Sequence, residues 1–359
     1  MPTHHRGTET PRNRVQTRLG ASVSRCVVGG VLVLTALDTR PTALTPEVLQ
    51  SIGGLPPHVV GVFEEPLNFQ QAASGAYYVF DRRGHTVYVV DAGKRAARKL
   101  VEIGPETGRI IQPRGFDTSP AGPFVVADAP RGGERIQIFG ETGARLGGFS
   151  LPARERSATV AIGALIVSGI ASIQYGADGL LISHPESGAL ITEYSPAGRG
   201  RRSIGRLRAT GHEQDLDLHL ALNVGIPLLD PTGGFFYVFL GGRPLFQKYD
   251  AAGRLLFERH IQGPEIDRYL ASLPDRWPVR RLEDREIPHV APAIRTAAVD
   301  PRGQLWISLM EPHTYVYDAQ GDKVRSIQFS AAGIVSPTSL FFTKDGRLLV
   351  TPGCYEFRP

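Results

Sequence analysis

One phrase recurs along this chain, and a recurring phrase constrains a fold more than any single residue does. Around Gly122 it reads GPFVVADAPRGGERIQIFGETGARLGGF: a turn, an apolar run, a polar loop, an alternating run, a second turn and a final run. Variants start at Gly75, Gly179, Gly234 and Gly303, and a sixth starts at Gly346 and stops early. Short strands repeated every roughly 40 to 70 residues imply small antiparallel sheets stacked radially. Such an array is one domain, because each unit buries its faces only against its neighbours.

Each unit divides into four strand-like runs, a to d from the centre outward. In the second unit these are 114–119, 123–128, 135–140 and 145–150, with Val, Ile and Phe in the runs and Gly, Pro and Asp in the breaks. Asp-Ala-Ala-Gly (250–253) and Asp-Ala-Gln-Gly (318–321) predict c–d turns, and Asp-Pro-Arg-Gly (300–303) predicts an a–b turn. The sixth unit supplies a (339–343), b (347–351) and c (355–358), so its outer strand must come from elsewhere. HVVGVF (58–63) is an apolar run without a hairpin partner, and it is expected to fill that place and cover the open edge.

The segment 125–149, with Ala-Asp after strand b and then Arg-Ile-Gln-Ile-Phe before a Gly turn, resembles an NHL repeat. The resemblance implies an all-β, six-bladed NHL-like β-propeller over 57–359, closed by an N-terminal strand that completes the last blade. It does not settle an activity, since NHL-like propellers serve as binding platforms, lyases and lactonases.

The formal charge is +5, but residues 1–44 hold six Arg against Glu9 and Asp38, a balance of +4. The remaining 34 basic and 33 acidic residues leave +1, which excludes a duplex-tracking surface on the body and nucleic acid as a partner. Arg6, Arg12, Arg14, Arg18 and Arg25 precede the apolar stretch 26–37, the order of an export signal. Residues 1–44 are therefore expected to be a signal peptide or an N-terminal membrane anchor, with 26–37 as a tether, placing the protein in the periplasm or outside the cell. Residues 45–56 read as a linker. Cys26 and Cys354 are the only cysteines, so cleavage of the leader would leave no disulfide.

In a propeller the b–c loops and the d-to-a connections emerge on one face. Three long connections fall there: 151–170, 208–224 and 262–293. The last is an insertion between the fourth and fifth units with an expected helix over 264–273, where Pro264 opens it and Pro274 stops it. This loop-rich face is the expected docking site for a protein or small-molecule ligand, with Arg82, Arg83, Arg131 and Arg243 as candidate contacts. His85, His184 and His313, from three units, are candidate Zn²⁺ ligands, which would resemble the amidating lyases built on NHL-like propellers. A lactonase-like Ca²⁺ site would draw on Glu64 or Glu65, Asn68, Asp117 and Asp230. No cofactor is predicted otherwise. Asp215, Asp217 and His219 are expected on the wet face of an alternating strand, and Arg199, Arg201, Arg202, Arg206 and Arg208 on a solvated rim. The leading reading is an exported binding module; the alternative is a metal-dependent lyase or lactone hydrolase at the channel mouth.

Overall fold

The computed structural model describes residues 44–152, 159–163, 165–283 and 285–359. The predicted leader lies outside the described residues. The chain begins with β1 (Glu47–Gly54) and a single helical turn, α1 (Pro57–Val60). Four-strand units follow: β2 (Pro66–Gln71), β3 (Tyr77–Asp81), β4 (Thr86–Val90) and β5 (Ala97–Val101); then β6 (Gly115–Thr118), β7 (Phe124–Asp128), β8 (Arg135–Phe139) and β9 (Arg145–Ser150). A connection carries β10 (Thr159–Ile162) and β11 (Leu165–Ser168). The third unit is β12 (Ser172–Tyr175), β13 (Leu180–Ser183), β14 (Ala189–Tyr194) and β15 (Gly200–Arg206), followed by α2 (Leu216–Ala221). The fourth is β16 (Gly225–Leu229), β17 (Phe235–Phe239), β18 (Leu245–Tyr249) and β19 (Leu255–His260). An insertion holds α3 (Pro264–Ala271), β20 (Val279–Leu282) and β21 (Arg285–Val290). The fifth unit is β22 (Ile294–Val299), β23 (Leu305–Leu309), β24 (Thr314–Tyr317) and β25 (Lys323–Ser330), and the chain finishes with β26 (Ser339–Phe342), β27 (Leu348–Thr351) and β28 (Tyr355–Phe357).

Every unit is an antiparallel meander in sequence order. The second and third strands of each are almost wholly buried, which is why they read as apolar runs rather than alternating ones. The first strands neighbour one another in the order β2, β6, β12, β16, β22, β26 and back to β2. Between the units lie clusters such as Tyr78, Phe80, Phe116, Phe124 and Phe139, in which Phe80 and Phe116 stack at 5.3 Å between ring centres. The architecture is that of a multi-blade β-propeller, nearly all β, and among the described residues no helix is long and apolar enough to cross a membrane.

The strand expected at 58–63 is not formed. Pro57 sits in the first helical position, and the run folds into α1 and a turn that push Val59 and Phe63 between Phe69, Tyr77 and Tyr88. The outer strand beside β28 is instead β1, inside the segment expected to be a linker. It pairs antiparallel with β28 (Ser51 opposite Phe357, Gly54 opposite Tyr355) and parallel with β25 (Glu47 opposite Ile327). One eight-stranded sheet thus runs from β22 to β26 through β1. β1 was illegible because only Leu49 in it is buried, while Val48 and Ile52 are exposed.

The residues of the NHL-like phrase fasten a loop. Asp128, fully buried, receives two bonds from the Arg135 guanidinium (2.9 and 2.6 Å) and one from the Ile111 amide. Arg135 also donates to the carbonyls of Pro105, Glu106 and Arg109, and Gln137 donates to Arg109 and accepts from the Gly108 amide. Arg135 and Gln137 of that phrase therefore fasten the 103–112 connection to the second unit.

The three long connections fold together. β10 of the first pairs parallel with β21 of the third, giving a sheet in the order β11-β10-β21-β20. Ile162, Val167 and Val290 pack against Leu218, Ala221 and Leu222 of the second. The insertion at 262–293 is thus helical only in α3 and otherwise a hairpin. The alternating strand expected at 215–222 is α2: the Asp215 side chain accepts from the Leu218 amide (3.1 Å), and this N-cap starts a helical turn that buries Leu218, Ala221 and Leu222 on one side. Asp215, Asp217 and His219 therefore share no strand face. Arg208 also departs from the expected solvated rim. Its guanidinium lies 4.4 Å from the Phe239 ring and donates to the carbonyls of Leu222, Gly241 and Arg243, while Arg201 and Arg202 pair with Glu193. Burial pushes the Arg208 guanidinium pKa below its usual value.

Candidate functional site

A cavity of about 1290 Å³ is lined by the first strands of all the units and by their a–b turns. Each turn is opened by a residue whose amide bonds across it: Ala72, Ser119, Gly176, Asp230, Asp300 and Thr343. Two residues before these stand Gln70, Asp117, Gln174, Leu228, Ala298 and Phe341, all in the cavity wall. At this level the first three units contribute a carboxylate and two carboxamides, and the other three contribute apolar side chains. Four residues before the turns the wall is Asn68, Gly115, Ser172, Ile226, Thr296 and Ser339. At the turn end the lining becomes charged, with Asp178, Lys344 and Asp345.

The polar half is held by bonds from one unit to the next. Gln70 donates to Asp117 Oδ1 (2.9 Å) and accepts from the Thr118 hydroxyl (2.7 Å). Asp117 Oδ2 accepts from the Tyr175 amide (2.6 Å), and Gln174 accepts from the Leu229 amide. The chain of bonds therefore locks the side chains of three units into the wall, leaving the remaining lone pairs of Asp117 for the cavity. Enclosure by protein pushes the Asp117 carboxyl up from near 3.8 to about 6, against the lowering effect of the Tyr175, Gln70 and Thr118 donors.

The sign of its effect on stability follows. With the folded value raised above the unfolded one, the unfolded chain releases this proton first as pH rises from about 4 to 6, so Asp117 favours folding below that window and opposes it above. Urea unfolding at pH 4 and pH 7 is expected to show this as a loss on going to pH 7 that is smaller in Asp117→Asn. Equal changes in the two proteins would refute the shifted carboxyl.

None of the arginines expected as contacts and none of the histidines expected as Zn²⁺ ligands lines this cavity. Arg82 pairs with Glu65, and Arg83 lies 3.8 Å from Glu64. Arg131 and Arg243 are exposed. His85 is a left-handed turn residue ahead of β4 (φ 46°) whose Nδ1 is buried. His184 is buried, with Nε2 3.2 Å from Glu186 and 3.5 Å from Glu134. His313 faces Glu265 of α3 at 3.4 Å and the Gln328 amide at 3.1 Å. The three histidines are held separately by their own surroundings, and among the described residues no group of three His, Cys, Asp or Glu is arranged to hold a metal ion. Of the Ca²⁺ candidates, Asn68, Asp117 and Asp230 line the cavity, but the Glu64 and Glu65 amides cap Asp81, and Asp230 is engaged by Lys248 and Thr232. Gln70, Gln174, Ser172 and Arg114 were not singled out from the sequence. Their signal was polar residues recurring in strand a, where the second, third and first units agree and the other three do not.

No family model and no curated relative matches the chain. Among solved structures, a gluconolactonase from Xanthomonas campestris is similar over 89% of this chain and 98% of its own, with 12% identity and a TM-score of 0.50. A streptogramin B lyase (81% and 92% covered, 12% identity, TM-score 0.49) and the virginiamycin B lyase of Staphylococcus aureus (80% and 77%, 11%, 0.48) are similar at the same level. At 12% identity the likeness to the gluconolactonase concerns the fold alone, and it agrees with the multi-blade β-propeller that the sheets describe.

Proposed function

We propose that this chain is a six-bladed propeller, completed by β1 as the outer strand of its last blade, that works as a small-molecule binding module with its site in the central channel. The observation that carries the reading is the cavity of about 1290 Å³ in which, two residues before the turns, the first three units present Gln70, Asp117 and Gln174 and the others Leu228, Ala298 and Phe341. A concave, mostly apolar space with a few fixed polar groups is what a ligand site requires. The Arg-rich and then apolar order of residues 1–44 supports an exported setting for the module. The loop-rich face offers a second reading, docking of a protein partner, favoured by the joint fold of the three long connections and by the exposed Arg131 and Arg243.

Filling the channel tests the first reading. Thr296 is half-buried on the wall, and Thr296→Trp would occupy the space beside the apolar side chains. In a fragment screen by ligand-observed NMR, the fragments that bind the natural chain are expected to lose binding to Thr296→Trp. An unchanged set of hits would remove the channel as the site and turn attention to the loop-rich face.

A further inference from the structure

The two halves of the channel wall differ in what they can recognise, and the difference names a ligand class. Asp117 is the one ionisable side chain at its level of the wall, between Gln70 and Gln174, and it faces Leu228, Ala298 and Phe341 across the channel. Its donors are the Gln70 carboxamide and the Tyr175 and Thr118 amides, and none of them is a cation. The strands packed against β6 bring no positive charge to it: β2 offers Asn68 and Gln70, β12 offers Tyr175, and Asp128 of β7 is taken by Arg135. Arg114, at the entry to β6, lines the same cavity with its Nη1 buried and without a hydrogen-bond partner, but the charges that act on it are those of Glu134 and Glu186, and no bond joins it to Asp117. A half-enclosed carboxylate without a protein cation is an unfilled place for one, because a desolvated charge is costly until paired.

Resting on the channel reading above, we infer that the ligand is an amphipathic amine, with a protonated nitrogen on Asp117 and an apolar body against Leu228, Ala298 and Phe341. The carboxamides of Gln70 and Gln174 flank that nitrogen and accept its further hydrogens. The pairing strengthens as Asp117 ionises, so affinity for an amine increases from pH 5 to pH 8, over which an alkylamine stays charged.

The test uses the full chain and three probes that share one apolar body: 4-phenylbutylamine, 4-phenylbutanol and 4-phenylbutyrate, titrated calorimetrically at pH 5 and pH 8. The amine is expected to bind at least about tenfold more tightly than the alcohol at pH 8, the size of one charge-assisted hydrogen bond, and the carboxylate weakest of all. Asp117→Asn should bring the amine to within about twofold to threefold of the alcohol. Gln174→Glu keeps the acceptor for the Leu229 amide and adds a second negative charge, so it should raise amine affinity without disturbing the wall. Alcohol or carboxylate binding as tightly as the amine, or an amine preference that survives Asp117→Asn and ignores Gln174→Glu, overturns the inference while leaving the channel as a site. Failure of all three probes to bind removes the channel reading, and the inference with it.

Discussion

Removing residues 44–54 from the full chain is expected to yield a protein that aggregates or remains open to protease, since β1 lies between two strands that then lose a partner. β28 and β25 would each present an unpaired edge, and such edges recruit other chains. Leu49 would leave the cluster formed with Trp306, Val316, Ile327 and Phe357. The entry into the next element is specific as well. Leu55 donates to the Cys354 carbonyl at 2.9 Å, and a Cβ on Gly54 would fall 2.4 Å from that same oxygen, so glycine is required at the approach. The combined loss is on the order of the net stability of a domain, about 5–15 kcal/mol. Size-exclusion chromatography and limited proteolysis read the outcome. A monomeric truncated chain with an unchanged urea midpoint would show that β1 is dispensable.

Breaking the Arg135–Asp128 pair ranks second. Arg135→Ala leaves a fully buried carboxylate with only the Ile111 amide, and frees the carbonyls of Pro105, Glu106 and Arg109 at once. Removing one partner of a buried ion pair costs about 3–5 kcal/mol, because the other charge is left without compensation. The double change Asp128→Leu with Arg135→Leu should recover part of that loss, since it removes the stranded charge together with the bond. Equilibrium urea unfolding of the single and double variants separates the cases. A single variant within about 1 kcal/mol of the natural chain would mean that water replaces the guanidinium, against the burial seen here.

The repeating units were legible because their central strands are buried on both faces and their turns need particular residues. The predicted runs 123–128 and 145–150 match β7 and β9 to within a residue, and α3 begins at Pro264 as its Pro and acidic first turn suggest. What failed was local pattern without tertiary partners. HVVGVF is apolar enough for a strand, yet Pro57 and the pocket between Phe69 and Tyr88 favour a helical turn; EVLQSIGG has the weaker pattern, yet it has the two open edges to fill. The alternation of leucines at 216–222 is ambiguous between periods, and the Asp215 cap decides it. The candidate site was obscured for a different reason. Charged residues in loops attract attention in a sequence, but here Arg82 and His313 are engaged by neighbouring carboxylates, and Arg83 lies exposed on the surface away from the cavity. The wall residues Gln70 and Gln174 look ordinary in strand context and gain meaning only when the units are superimposed by their turns.

The position of β1 also dictates an order of assembly. Within each unit the strands join neighbours only a hairpin away, so these contacts form early and at little loop-closure cost. β1 has no such partner: Ser51 meets Phe357 across nearly the whole length of the chain, and β10 likewise waits for β21. During synthesis from the N-terminus, β1 precedes every other strand of the described residues and waits for β25 and β28. The nascent chain therefore carries an orphan strand until β25 and β28 have been made. The exposed faces of that strand, with Gln50 and Glu47 beside Val48 and Ile52, are what stand between timely closure and capture by another chain.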